Sequence, residues 1–294
     1  MRWQPGPGEV SAGVAEPTYP GSVTGESPPR LLTIAGSDSG GGAGIQADLK
    51  AFARCGAHGM SAITAITAQN TVSVTDVYPL PAEVIVAQVR AVAEDIGVDA
   101  VKIGMLGTRE TIAAVDEALD LLGSAPVVLD PVMVAESGAR LLDEDAEEAL
   151  RSRLLPRVSV ITPNLPEARV LAGTGETGAE RPGEAEALAR AIHALGPEVV
   201  VVTGGHRENA ADLFFDGRQV VEIPGERLPD GAAHGSGCTH SSALAAHLAL
   251  GLDPLDSARR AKQIATEAVR NGLRGIGAGA GPVDVLGVRR GGEC

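Results

Sequence analysis

Cysteine is scarce in this chain of 294 residues, and its pattern excludes the small sites that cysteine builds. The three cysteines, Cys55, Cys238 and Cys294, form no Cys-x-x-Cys pair. An odd number without paired spacing argues against a disulfide framework and against a zinc knuckle. This pattern suits a reducing compartment, and we therefore expect a cytoplasmic protein.

Long apolar runs and excess positive charge are also missing. No stretch of about 18 uninterrupted apolar residues occurs, so we expect no membrane span. The formal net charge of −14 argues against a nucleic-acid partner, because a protein that binds phosphate backbones needs a basic face. Most of this charge is expected on a solvated surface, while local backbone amides and helix N-termini remain able to bind phosphate groups.

The N-terminal segment, residues 1–29, has too little apolar sequence to fold or to act as a secretory signal. It carries six prolines and few residues that would be buried. We therefore predict a disordered tail over residues 1–29 and one domain over residues 30–294.

Lysine is rare as well: the only three are Lys50, Lys102 and Lys262, and none follows a glycine. The chain therefore lacks the Gly-x-x-x-x-Gly-Lys loop of one large class of ATP-binding proteins. The glycine-rich segment 40–44 does not fit Gly-x-Gly-x-x-Gly, which would need a glycine at position 45, so a nicotinamide site is poorly supported. Taken alone, that segment is equally compatible with a plain tight turn.

From residue 31 onward, short apolar runs alternate with helix-like segments. All-apolar strands separated by helices are typical of a mostly parallel sheet covered on both faces, and we predict this α/β architecture. Ligands of such sheets lie beyond the carboxyl ends of the strands. Candidate site residues follow four predicted strands at such ends: residues 36–38, Asp130, Asn164 and residues 203–206.

The strongest local signal is a glycine-containing loop, residues 234–237, that leads into an alanine-rich helix. Such a loop leaves several backbone N–H groups unpaired, and with the helix dipole these form an anion hole. Cys238 would lie in the first helical turn, where a thiolate is favoured. A small buried cysteine near a helix cap explains the same pattern equally well.

Asn164 and Glu167 stand three residues apart at a predicted helix start. An amide and a carboxylate at this spacing can hold a hydrated Mg²⁺ beside phosphates. Asn164 is also a good N-cap and Glu167 would complete a capping box, which is the interpretation that this segment favours when taken alone. Asp130, at a strand end, is ambiguous in the same way.

Together these segments resemble a single family over about residues 31–283, in order and without a large gap. The matching segments are TIAGSD (33–38), GGAGIQADLK (41–50), AITAQN (65–70), KIGML (102–106), VLDPVM (128–133), ITPNLPE (161–167), GGH (204–206), HGSGCT (234–239), GIG (275–277) and GPV (281–283). They resemble the hydroxymethylpyrimidine/phosphomethylpyrimidine kinases of thiamine biosynthesis, in the ribokinase-like superfamily.

The resemblance implies a ribokinase-like three-layer α/β/α sandwich with a mostly parallel central sheet and a small β lid around Gln69. It implies ATP and Mg²⁺ as cofactors and two successive phosphorylations, first of a hydroxymethyl group and then of the resulting phosphate. The implied partner is a small molecule, an aminopyrimidine alcohol and its phosphate, and we expect the protein to be a homodimer.

The resemblance also implies roles for individual residues. The pyrimidine pocket would be lined by Gly36, Asp48, Gln69, Met105 and Val132. ATP would be bound by Asp130, Asn164, Thr203, Gly205 and Ser236, and the metal by Asn164 and Glu167. The anion hole would be formed by Gly235, Ser236 and Gly237. Cys238 would stand where sugar kinases of the superfamily carry their aspartate base.

One position departs from the family pattern. Many members have Lys-Gly-Gly-His where this chain has Thr203-Gly204-Gly205-His206. Thr203 offers only a hydroxyl. Either the metal and the anion hole suffice without the lysine, or another cation takes its place.

Two other functions remain open at this stage. The nearest is a pyridoxal kinase, and Gln69 separates the two because its amide offers a donor and an acceptor side by side, as an aminopyrimidine requires. Vitamin B6 kinases close to this group tend to have a methionine at that point. The other is a catalytically silent metabolite-binding protein, for which Thr203 is the only support.

Overall fold

The computed structural model describes residues 27–175, 178–207, 209–229 and 231–288. Within them, nine strands form one sheet. The strands are β1 (Arg30–Asp38), β2 (His58–Gln69), β3 (Val74–Pro79), β4 (Ala100–Ile103), β5 (Val127–Leu129), β6 (Val160–Ile161), β7 (Val199–Val202), β8 (Asp212–Phe215) and β9 (Val220–Ile223).

Within the same described ranges, eight α-helices connect or follow these strands. They are α1 (Gly44–Arg54), α2 (Ala82–Asp95), α3 (Arg109–Leu119), α4 (Ala146–Ala149), α5 (Leu165–Leu171), α6 (Glu184–His193), α7 (Ser236–Ala249) and α8 (Pro254–Arg270). After α4 the chain continues through a π-helical turn, Leu150–Leu154, and a 3₁₀ turn, Leu155–Arg157.

The strand order is β3-β2-β1-β4-β5-β6-β7-β8-β9. The six strands from β2 to β7 in this order run parallel, while β3, β8 and β9 pair antiparallel at the two edges. All carboxyl ends of the parallel strands therefore meet at one edge of the sheet. This edge is where the fold places a ligand site.

Two apolar layers cover the sheet, and the alternation of side chains along each strand feeds both. On β1, Leu31 packs towards α1, α7 and α8, whereas Leu32 packs towards the helices α2 to α6. Both side chains are fully buried, which contributes about 1.5–3 kcal/mol each to folding. The result is the predicted three-layer α/β/α sandwich with a mostly parallel sheet, so the fold expectation is confirmed.

Local sequence signals set several element boundaries. Asp216 and Gly217, a residue pair typical of hairpin turns, connect β8 to β9, with Gly217 at φ +82° and Asp216 accepting from the amide of Gln219 at 2.8 Å. The side chain of Thr108 caps α3 by accepting from the amide of Thr111.

The predicted N-terminal tail lies mainly outside the described residues, since residues 1–26 are not among them. Pro29 already belongs to the fold, because its carbonyl accepts a hydrogen bond of 2.8 Å from the amide of His58. Among the helices that the structure describes, none combines the length and the apolarity needed to cross a bilayer.

Candidate active site

A cavity of about 190 Å³ opens at the carboxyl edge of the parallel strands, and we call it the central cavity. It collects nearly all the site residues predicted from sequence: Gly36, Gln69, Met105, Asp130, Val132, Asn164, Glu167, Thr203, Gly205, Gly235, Ser236, Gly237 and Cys238 all line it. Met105 packs directly against Gly36, and a Cβ at Gly36 would lie 2.6 Å from the Met105 Cε. Segments up to 200 residues apart in sequence therefore converge on one site.

Asp48 is the predicted pocket residue that the structure places elsewhere. It is fully buried beneath the cavity, where both carboxylate oxygens accept hydrogen bonds from Lys102 Nζ at 2.9 and 3.0 Å. The hydroxyls of Thr33 and Ser242 donate to the same carboxylate at 2.6 and 2.8 Å. Because its carboxylate accepts four hydrogen bonds from these three donor groups, Asp48 supports the floor of the site instead of facing a ligand.

Lys102 was not singled out by sequence reasoning, although a lysine inside an apolar strand signals a paired buried charge. Burial opposes the charged form of the Lys102 ammonium. The negative charge of Asp48, which contacts it, and the more distant Cys238 and Asp130 outweigh burial, so the pKa of the ammonium is raised. Lys102 therefore stays positive. In the described part of the chain, no other lysine or arginine lines the central cavity.

The glycine-rich segment 40–44 is a closed loop bound to a carboxylate. Asp38, at the end of β1, accepts hydrogen bonds from the amides of Gly40, Gly42 and Ala43 at 2.7, 3.0 and 2.9 Å. His234 Nε2 lies 3.0 Å from the same carboxylate. Burial opposes ionisation, yet His234 and these amides outweigh it and lower the pKa of Asp38. The Asp38 side chain thus ties the loop after β1 to the loop before α7.

The loop before α7 has the geometry of an anion hole. Gly235 is the N-cap at φ +84°, and a Cβ there would lie 1.8 Å from the carbonyl oxygen of Gly42. The amide of Ser236 is already bonded to the carbonyl of Ala233 at 2.9 Å. The first-turn amides of Gly237 and Cys238 have no backbone partner in the described structure, so they are available as donors for an anion.

Cys238 lies in the first turn of α7 as predicted, and of the two interpretations that the sequence left open the buried cysteine fits the structure while the favoured thiolate does not. Burial raises the pKa of its thiol to about 12, and the negative charges of Asp48 and Asp130 add to this, while Lys102 opposes it. The partial charge at a helix start is a weaker influence than desolvation among carboxylates. Near neutral pH, Cys238 is therefore a protonated thiol.

Asn164 and Glu167 form the capping box that the sequence allowed. Asn164 Oδ1 accepts from the amide of Glu167, and Glu167 Oε2 accepts from the amide of Asn164, both at 2.9 Å. Burial, together with the nearby charge of Asp130, raises the pKa of Glu167 to about 8. Burial also raises the pKa of Asp130, whose Oδ2 lies 3.1 Å from the Ser241 hydroxyl.

These carboxyl groups are compatible with a hydrated divalent cation. Burial disfavours the ionised forms of Asp130 and Glu167. A cation between these two carboxyl groups and the phosphates would stabilise those ionised forms. The described residues contain no cluster of three or more His, Cys, Asp or Glu side chains placed to enclose a metal. Mg²⁺ suits such an open site because it usually keeps several waters and uses few protein ligands.

A second cavity, of about 410 Å³, lies between the loop after β7, the loop before α7, and α8. It shares Thr203, Gly205, Ser236 and Gly237 with the central cavity. The anion hole therefore lies where the two cavities meet. Sequence reasoning did not find the second cavity, because its far wall comes from α8, which carries no motif.

Thr203, the departure from the family pattern, begins the turn between the two cavities. Its hydroxyl lies 3.5 Å from the carbonyl of Pro163, and its backbone bridges to Asn164. The same turn is held from below by Asp212, which accepts from the amide of Gly204 at 2.7 Å and from Lys262 at 2.6 Å. The turn is thus supported without a lysine at position 203.

Comparisons with known proteins agree with the sequence-based resemblance. The family model for phosphomethylpyrimidine kinase matches residues 38–284. A hydroxymethylpyrimidine/phosphomethylpyrimidine kinase of Rhizobium meliloti is 50% identical over 255 residues, covering 86% of this chain and 95% of that protein.

Solved structures with this fold include both a phosphomethylpyrimidine kinase and a pyridoxal kinase. A phosphomethylpyrimidine kinase of Clostridium difficile is 40% identical with a TM-score of 0.72, covering 82% of this chain and 99% of that one. A pyridoxal kinase of Staphylococcus aureus in complex with pyridoxal is 36% identical with a TM-score of 0.81, covering 90% and 96%. By its sequence, its fold and the residues gathered at its cavity, this chain belongs to the phosphomethylpyrimidine kinase family.

Proposed function

We propose that this protein transfers the γ-phosphoryl group of ATP to 4-amino-5-hydroxymethyl-2-methylpyrimidine and then to the monophosphate, giving the diphosphate for thiamine biosynthesis. The observation that carries this proposal is the anion hole at the junction of two cavities. A donor in one cavity and an acceptor in the other would meet at the amides of Gly237 and Cys238. Phosphoryl transfer depends mainly on such positioning and on charge stabilisation.

The acceptor is assigned to the central cavity, against Gly36, Gln69, Met105 and Val132. Gln69 carries the selectivity in this assignment, because its amide pairs with a ring nitrogen and an exocyclic amine at once. Met105 and Val132 supply apolar contact to the ring. Asp48 acts indirectly, by holding Lys102 beneath the site.

The nucleotide is assigned to the second cavity, with its phosphates towards the shared wall. Thr203, Gly205 and Ser236 lie on that wall, and Asp130 and Asn164 face it from the central cavity. Asn164 and Glu167 would hold a hydrated Mg²⁺, which neutralises phosphate charge when bound. Amides of the α7 start would stabilise charge on the transferring group, an effect of about 3–4 kcal/mol per donor in other enzymes.

Cys238 is protonated near neutral pH, so it does not take up the proton of the acceptor alcohol. In the first transfer, the acceptor oxygen bonds to the γ-phosphorus as the bond to ADP breaks. A loose transition state allows the alcohol proton to leave late, to an oxygen of the transferred group. Cys238 then contacts and orients the acceptor oxygen. In the second transfer the acceptor phosphate is already anionic, since its second pKa is about 6.

Pyridoxal kinase activity is the second candidate, and the solved pyridoxal kinases with TM-scores of 0.81 favour it. It fits less well than the pyrimidine assignment, because the sequence relatives over most of the chain are pyrimidine kinases and because position 69 is glutamine. A shared fold with different vitamin substrates is expected when function resides in a few site residues.

The protein is further proposed to act in the cytoplasm as a homodimer. The edge strand β3 and the end of β2 support an interface, since the cross-strand partners Ile66 and Tyr78 are 47% and 60% exposed. Exposed apolar clusters of this kind mark interaction surfaces. Sedimentation velocity at micromolar concentration tests the oligomeric state.

An acceptor screen tests the proposed function directly. Purified protein with ATP and Mg²⁺ would be offered hydroxymethylpyrimidine, its monophosphate, pyridoxine and ribose, and phosphorylated products would be quantified. We expect the pyrimidine and its monophosphate to be preferred. A preference for pyridoxine would replace the pyrimidine assignment, and the absence of ATP consumption with every acceptor would leave only a binding protein.

A further inference from the structure

Gln69 stands at an irregular point of the sheet. The β2–β3 register shifts between Ala68, which pairs with Asp76, and Gln69, which pairs with Val74. Such a bulge leaves one residue unpaired and re-aims the neighbouring side chains. The strand ladder alone therefore does not fix the direction of Gln69, and other contacts must do so.

One support comes from the loop after β1. The Ser39 hydroxyl donates to the carbonyl of Gln69 at 2.7 Å and accepts from the amide of Gln69 at 2.9 Å. That loop is itself held by Asp38 through three amides. The two Ser39 hydrogen bonds thus hold the backbone of Gln69 beside the central cavity.

The Gln69 side chain itself accepts a hydrogen bond from the Thr67 hydroxyl at 3.1 Å. A further support, for the turn that follows Gln69, comes from the C-terminal glycine segment, residues 275–281. The amide of Gly279 donates to the Thr71 hydroxyl at 3.2 Å, two residues beyond Gln69. A Cβ at Gly279 would lie 1.8 Å from the Thr71 carbonyl oxygen, and one at Gly277 would lie 2.0 Å from the Thr71 hydroxyl oxygen. A side chain at position 277 or 279 would therefore collide with Thr71, so this close approach to the β2–β3 turn requires glycine.

The glycine segment is in turn anchored to the anion-hole loop. The carbonyl of His234 accepts from the amide of Val283 at 3.1 Å, and Pro282 forms a backbone bridge with His234. Pro282 also closes the segment on itself by accepting from the amide of Leu273 at 2.8 Å. One end of the segment thus contacts the turn after Gln69, while the other contacts the loop that starts α7.

We propose that Gly277 and Gly279 are positioning residues for acceptor recognition, which hold Thr71 and, through it, Gln69 at a fixed distance from the anion hole. This inference rests on the proposed function, because it assumes that Gln69 recognises the acceptor ring. The C-terminal segment then fixes the distance between Gln69, which binds the ring, and the anion hole, which binds the phosphoryl group. It touches neither ligand itself.

Gly279→Ala tests this inference, with Gly275→Ala as its matched control. A methyl group at position 279 collides with the Thr71 carbonyl, whereas at position 275 it meets no atom within 4 Å and the backbone is not left-handed. For Gly279→Ala we expect the KM for hydroxymethylpyrimidine to rise about tenfold, the effect of losing roughly one recognition hydrogen bond. The KM for ATP should stay within about twofold, and Gly275→Ala should match the wild type.

Thr71→Ala and Thr71→Ser supply a second, independent test should Gly279→Ala fold poorly. Thr71→Ala removes the acceptor of the Gly279 amide and should raise the KM for the pyrimidine, while Thr71→Ser keeps the hydroxyl and should restore it. A fall in kcat and melting temperature with unchanged KM values would show that the segment is only structural and would overturn the proposal. Equal effects of the alanine and serine variants would do the same.

The wild-type measurement separates this inference from the proposed function. Wild-type protein that phosphorylates pyridoxal but not the pyrimidine contradicts the proposed function. In that case, the KM for pyridoxal of Gly279→Ala, compared with that of the wild type, still tests whether the C-terminal glycine segment positions Gln69. An acceptor KM that Gly279→Ala leaves unchanged overturns the inference with either acceptor.

Discussion

At the scale of single residues, the chemistry of the site is set by which charges burial brings together. The sequence places Cys238 at a helix start, which is compatible with either a reactive thiolate or a small buried cysteine. Burial in the folded chain raises the pKa of that thiol to about 12, and the charges of Asp48 and Asp130 add to this effect. The carboxylates come from α1 and from the end of β5, so no local sequence pattern could have revealed their effect.

Cys238→Ala tests whether this thiol is a general base. Because the thiol is protonated near neutral pH, we expect single-turnover rates of the first phosphorylation to fall by less than about tenfold. Loss of a working general base typically costs 10²- to 10⁴-fold. The rates between pH 6 and 9 should keep the same profile in wild type and variant, with Cys238→Ser as a control for shape. A large loss confined to the first phosphorylation would contradict this account.

Glu167→Gln tests the buried carboxyl through its effect on stability. The pKa of Glu167 is about 8 in the fold against a usual 4.5, so the folded protein holds more protons than the unfolded chain between these values. Wild-type stability should therefore decrease as pH rises through that window. Glutamine does not ionise and can still accept from the amide of Asn164. The melting temperature of the variant relative to wild type should rise from pH 5 to pH 8.

Glu110→Gln, at an exposed position on α3, controls for the loss of one negative charge. Its melting temperature relative to wild type should stay nearly constant over the same range. A flat difference for Glu167→Gln as well would mean that the Glu167 carboxyl ionises normally in the folded protein.

At the scale of elements, the start of α7 depends on one close backbone approach. Gly235 and Gly251 flank this helix with φ of +84° and +83°, yet only Gly235 has a neighbour within 4 Å where a Cβ would go. Alanine should cost each site about 1 kcal/mol of stability from the left-handed backbone. Gly235→Ala must also displace Gly42 and distort the anion hole.

We therefore expect Gly235→Ala to lower kcat by about 10²-fold or more, as loss of an oxyanion donor does elsewhere. Gly251→Ala should keep near-normal kcat. Circular dichroism and kinetics on both variants check this. Equal kcat in the two variants would mean that the Gly42–Gly235 contact has no catalytic importance.

The sequence identified most elements but not every interaction among them. The order of strands and helices and the Asp216-Gly217 hairpin follow from local patterns. The Asn164 and Glu167 spacing allowed both a capping box and a metal site, and the capping box is present without excluding the metal. That Ser236 uses its amide within its own loop, leaving Gly237 and Cys238 as donors, depends on loop geometry that composition does not encode.

At the scale of the whole molecule, topology was predictable because β-α alternation permits few arrangements. The convergence of Asp38 with His234, 196 residues apart, and the second cavity against α8 were not. They depend on how distant segments pack, and a single sequence carries no signal for such contacts apart from its resemblance to a family.

Deletion of residues 1–28 tests the predicted domain boundary. The family match begins at residue 38 and the ordered hydrogen bonds begin at Pro29, so the deletion should leave activity and melting temperature nearly unchanged. Retaining Pro29 preserves its contact with His58. A drop of more than about 5 °C would show that the deleted segment packs on the domain.

We propose that one site adds two phosphoryl groups in succession to an aminopyrimidine alcohol. The most direct test of this proposal is mass spectrometry of the product formed from limiting hydroxymethylpyrimidine with excess ATP and Mg²⁺. We expect a transient monophosphate that converts to the diphosphate, with two ATP consumed for each pyrimidine. Recovery of unmodified pyrimidine, or of a monophosphate that never advances, would contradict the proposal.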